Sequence, residues 1–190
     1  MSKKIIRISD IREDLYDANL DTEYREALAH SLMTLGYVSD TPLNLYYGTE
    51  EEKRELEKVE KMSLNSNQIS EIIHLMMYEM RNDFQYERFK PVANKYIDIS
   101  EKMRGKDLKT NSQHKEIQKV KCNIYGMVFI PEILGEVSKI LKQNNMYNES
   151  RTMIEKATLS YSYDESIKAI EEYVDITDEA GLEEDFEEYE

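Results

Sequence analysis

The chain has 190 residues, of which 40% are hydrophobic and 34% charged, with a formal net charge of −14. That is enough apolar material for one core, and six Gly and three Pro are too few turn-formers for an all-β domain of this length. A single cysteine, Cys122, excludes an internal disulfide, and no run of about twenty apolar residues is present to span a membrane. The basic start, Met1 to Arg7, lacks the apolar stretch of a signal peptide, so the expectation is a soluble, cytoplasmic protein.

The first twenty residues carry weak signals, with Ser9-Asp10-Ile11-Arg12-Glu13 resembling a capped helical turn. A firmer helix is predicted from Asp21 or Thr22, where Tyr24, Leu28, Leu32 and Leu35 repeat at helical spacing and Gly36 supplies a stop. Residues 37–48, punctuated by Pro42 and Gly48, read as a loop. Residues 49–62 read as a charged surface helix with Thr49 as its cap and Glu50, Glu51 and Glu52 in the first turn.

The clearest pattern spans 66–84, where Ile69, Ile72, Ile73, Met76, Met77, Met80 and Phe84 share one face. A helix over 87–104 follows, with Phe89, Val92, Ala93, Tyr96 and Met103 on its apolar side and Pro91 near its start. Gly105 is its expected end. From Ser112 to Gln143 the spacing of Ile117, Val120, Ile124, Val128, Leu134, Val137 and Leu141 predicts one long helix, kinked near Phe129-Ile130 by Pro131. Helices over 147–159 and 164–174 complete the series, the second capped by Asp164. No second copy of this final hairpin recurs at a fixed period, so a repeat architecture is not adopted.

The charge is unevenly spread. Residues 178–190 hold eight acids and no base, with Leu182, Phe186 and Tyr189 as the only anchors. Like charges at this density predict a disordered tail. Residues 102–121 reverse the sign: Lys102, Arg104, Lys106, Lys109, Lys115, Lys119 and Lys121 face only Asp107 and Glu116.

Candidate chemistry is sparse. No glycine loop cradles a phosphate, and no Ser-His-Asp arrangement is present. Glu71-Ile72-Ile73-His74 has the Glu-x-x-His spacing of di-iron bundles, but such a site needs a second pair and further carboxylates. His74 is therefore read as a surface or boundary residue, and His30 as the ion-pair partner of Glu26 one turn away. His114 reads as solvated and Cys122 as a half-buried structural thiol. No carboxylate pair is marked out by apolar surroundings. The Met76, Met77, Met80 stripe reads as core, and the apolar run 126–135 as a buried kink.

The fold expected is all-α: a single irregular bundle of about six or seven helices over 1–176, the long kinked helix at its centre and helices 66–84 and 87–104 packed on it. An acidic disordered tail covers 177–190. The functional expectation is a non-enzymatic protein-binding module without cofactor, metal or membrane contact. Small acidic chains rich in Lys, Glu, Asn, Ile and Tyr are common among phage and mobile-element products, which suggests an inhibitor or adaptor acting in a host cytoplasm. Its tail (Glu183, Glu184, Asp185, Phe186, Glu187, Glu188, Tyr189 and Glu190) would imitate nucleic acid in a partner's basic groove. Lys102, Arg104, Lys106, Lys109, Lys115 and Lys119 form a possible second contact, although the net charge opposes direct nucleic-acid binding. The alternative is a viral structural or assembly protein acting through helix-mediated oligomerisation.

Overall fold

The computed structural model describes residues 5–37, 58–107 and 119–177. The architecture is all-α. It comprises α1 (Ile8–Asp17), α2 (Thr22–Thr34), α3 (Ser66–Met80), α4 (Tyr86–Asp107), α5 (Ile130–Gln143), α6 (Tyr147–Thr158) and α7 (Tyr163–Glu171), with residues 58–60 also helical. Four short strands tie the ends together. β1 (Ile6–Arg7) pairs antiparallel with β2 (Ser63–Leu64), and β3 (Val120–Asn123) pairs in parallel with β4 (Val174–Thr177).

Local chemistry explains the starts and stops. In α1 the Asp10 carboxylate accepts the Arg7 backbone N–H at 2.7 Å, satisfying a donor at the helix entry. Asp21 precedes α2 without bonding its first turn; its carboxylate accepts the Gln85 side-chain amide instead. Asn65 caps α3 by accepting the Gln68 N–H at 3.0 Å, while the Gln68 side chain accepts the Asn65 N–H. Gly36 closes α2 at φ +68, a conformation that favours glycine.

α3 is the centre of the molecule, packing on α2, α4 and α6. Ile69, Ile72, Ile73 and Met76 are fully enclosed and Leu75 nearly so; a helix apolar on all sides takes the interior. Tyr24 of α2 stacks on Phe89 of α4 with ring centroids 5.2 Å apart, and its hydroxyl donates to Asp83 at 2.8 Å. Met76 and Met80 are buried, as the core reading of the methionine stripe requires.

Several boundaries differ from the sequence reading. The long helix 112–143 is not formed: 112–118 lie outside the described residues, 120–123 are strand, and the helix begins only at Ile130. Pro131 does not kink a helix. It sits in the first turn of α5, where its missing N–H costs nothing. Gly126, at φ +79, turns the chain between β3 and α5. α5 packs on α2, α6 and α7 and makes no major contact with α3 or α4.

α3 stops at Met80, leaving Phe84 81% exposed, because Asp83 folds the chain into a turn by accepting the Gln85 N–H. α4 runs through Gly105 to Asp107, so that glycine is no stop. α7 is capped by Ser162, which accepts the Glu165 N–H, and residues 174–177 leave the helix for β4. Residues 38–48 of the expected loop and the cap of the charged helix 49–62 lie outside the described residues.

Candidate functional site

A groove of about 1610 Å³ opens between the C-terminal ends of α2 and α3 and the start of α5. One residue sets how closely two of its walls approach. A Cβ at Gly135 would lie 2.5 Å from the Thr34 carbonyl oxygen, so α2 and α5 cross at a distance only glycine permits. The lip before α5 is apolar and open to water: Val128 is 65% exposed and Phe129 69%. Tyr147 and Tyr163 add exposed rings to the opposite rim. The apolar run 126–135 is thus split. Ile130, Ile133 and Leu134 are buried as expected, while Val128 and Phe129 are not, because they precede the helix that would have turned them inward.

Behind the Tyr37 and Lys142 wall of the groove lies a buried ionic cluster built on a single carboxylate. Glu71 on α3 is fully enclosed. Its Oε2 accepts the Tyr37 hydroxyl and the Lys142 ammonium, the latter at 2.9 Å, and its Oε1 accepts the Ser150 hydroxyl at 3.0 Å. Ser150 in turn meets Ser138 at 2.9 Å. Lys142 also lies 4.7 Å from the centre of the Tyr37 ring. Burial, then the negative charge of Glu71, push the Tyr37 phenol well above its ordinary range, so it stays a neutral donor.

Most of the groove's other charges are also paired within the chain. His30 meets Glu79 of α3 at 3.2 Å and not Glu26 of its own helix; the bond to Glu79 raises its pKa against the opposing effect of burial. Lys139 meets Glu136 at 3.2 Å, and Arg81 stacks 4.2 Å from the Tyr78 ring centre. Among the described residues, Glu132 is the groove carboxylate left without a cation.

His74 lies one turn from Glu71 yet belongs elsewhere. It is buried, not a surface group, and its Nδ1 is 2.8 Å from the Ser70 carbonyl. Beside it Glu155 of α6 accepts the Ser70 hydroxyl at 2.5 Å and both oxygens meet Arg151, at 2.7 and 2.8 Å. Glu71 and His74 therefore serve separate clusters, and among the described residues no group of three His, Cys, Asp or Glu could hold a metal.

Most of the residues singled out for partner contact are not among the described ones. Glu183, Glu184, Asp185, Phe186, Glu187, Glu188, Tyr189 and Glu190 lie outside the described residues, as do Lys109 and Lys115. Lys102 and Lys119 are exposed, while Arg104 is half-buried, 3.5 Å from Glu155. Cys122 is buried in β3; burial, then the charge of Glu136, push its thiol up to about 11, which keeps it protonated and unreactive. Among the described residues no helix is long and apolar enough to cross a membrane. Compared with known proteins, the chain matches no family model, no curated protein and no solved structure.

Proposed function

We propose that the protein is a non-enzymatic protein-binding module that receives an amphipathic helix of a partner protein in the groove between α2, α3 and α5. The observation that carries this reading is the exposed Val128–Phe129 lip on a groove most of whose charges are paired within the chain. Such a surface offers little to a charged ligand and much to apolar anchors. Its walls are mainly helices, whose backbone N–H and C=O groups are already paired, so an extended strand would find no ladder to join. An incoming helix satisfies its own backbone and brings anchors at i, i+3, i+4 and i+7.

The narrower expectation, a phage or mobile-element inhibitor with a nucleic-acid-mimicking tail, draws its support from the chain's composition and the charge on 178–190. The two surfaces separate cleanly by mutation. A benzoylphenylalanine placed at position 128 of the full chain should crosslink a partner, and a synthetic helix from the crosslinked segment should bind wild type. Phe129→Ala should weaken that binding by about tenfold or more, and deletion of 178–190, which leaves β4 intact, should not. Loss on tail deletion with Phe129→Ala unaffected would replace the groove by the tail. A wild-type dimer in light scattering that Phe129→Asp dissociates would replace it by the assembly reading.

A further inference from the structure

We infer that Arg104 at the end of α4 and Arg151 of α6 form an oxyanion site, taking a phosphate or carboxylate group beside Glu155. Two guanidiniums converge there on a single carboxylate. Arg151 is 9% exposed, and its Nη1 occupies both Glu155 oxygens. Its Nη2 reaches only the Thr152 hydroxyl, at 3.2 Å. Glu155 Oε1 also takes the Ser70 hydroxyl, so Arg104 is left with one long contact of 3.5 Å to an oxygen that is already filled. The Nε atoms of both arginines are buried without a hydrogen-bond partner.

One carboxylate cannot neutralise two guanidiniums, and an unmatched charge taken out of water is costly unless a counter-ion completes it. Burial, then the proximity of Arg151, pull the Arg104 pKa down, which is the mark of a cation short of acid. Glu101, exposed and three residues back on α4, acts on Arg104 through space and forms no ion pair with it. His74 lies beside the same cluster, its Nδ1 engaged by the Ser70 carbonyl at 2.8 Å. Guanidinium forks match the planar edge of an oxyanion in a way ammonium groups do not. Access exists, because the side chains of Arg104 and Glu155 are each 23% exposed.

The test is a titration of the full-length protein with sodium phosphate and, separately, sodium acetate at constant ionic strength, following the arginine Nε–Hε NMR signals. Saturable movement of the Arg104 and Arg151 signals is expected, and which salt saturates first distinguishes a phosphate ligand from a carboxylate one. Arg104→Gln should weaken binding by about tenfold or more. Glu155→Gln, which removes the internal competitor, should tighten it by a similar factor; a purely structural ion pair predicts no gain. If Glu155→Gln fails to fold by circular dichroism, Arg104→Gln decides alone. No saturation with either salt, or saturation that Arg104→Gln leaves unchanged (an adventitious ion only), would overturn the proposal.

Discussion

α3 faces two acidic centres that are built on opposite terms. Glu71, on the helix itself, is wholly enclosed and meets one cation, Lys142, with the hydroxyls of Tyr37 and Ser150 donating to it as well. Glu155, reached by Ser70 from the preceding position on α3, is only partly enclosed and answers two guanidiniums. The first cluster balances in charge and in hydrogen bonds, so the helices close around it. The second carries surplus positive charge and stays partly open. A buried carboxylate is tolerated where its counter-charge is single and its oxygens are filled; surplus charge keeps a door to solvent.

The contrast breaks most decisively at Lys142. Lys142→Met leaves Glu71 enclosed without its cation and should lower the unfolding free energy by about 3 to 5 kcal/mol in urea denaturation. A loss below about 1 kcal/mol would mean that Glu71 is no more dependent on its partner than a surface acid. The Glu155 cluster should show itself in acid. Burial opposes its charge, but the Ser70 hydroxyl and Arg151 prevail and hold the carboxyl below its ordinary value of 4.5. A carboxyl whose folded-state pKa is depressed contributes stability that is full above its unfolded value and lost as pH falls through the folded one. Stability should therefore decline below about pH 5, and Glu155→Gln should flatten that limb; identical limbs in the two proteins would erase the cluster's contribution. The smallest effect is expected at Arg104. Arg104→Gln leaves Arg151 on both Glu155 oxygens and should change thermal stability by less than about 1 kcal/mol, which sharpens its separation from Lys142.

Much of the helical frame was legible from spacing. α2 follows Tyr24, Leu28 and Leu32 and ends at Gly36; α3 follows Ile69, Ile72, Ile73 and Met76. The strands were not legible, for a physical reason. Val120, Ile124 and Val128 fit a helical period as well as four residues of strand can, and the partner of β3 lies some fifty residues later, beyond any local pattern. Pro131 was read as a disturbance because the apolar period ran through it, although a first-turn proline marks a helix start equally well. Glu71 was missed despite a usable signal. Ile69, Ile72, Ile73, Leu75 and Met76 surround α3 on every side, and a helix apolar all round buries whatever charge it carries. The identity of the partners, Tyr37 and Lys142, comes from distant segments and could not be read from α3.

The parallel pairing of β3 with β4 carries a consequence for how the chain assembles. It closes a ring of chain that contains all of α5, α6 and α7. Ring closure costs entropy that rises with ring size, and a ladder of four residue pairs repays little of it unaided. Packing of the three helices against one another shortens the ring that the strands close. Val174–Thr177 is the seal on the C-terminal half, a stretch whose resistance to a protease would report that the fold is complete.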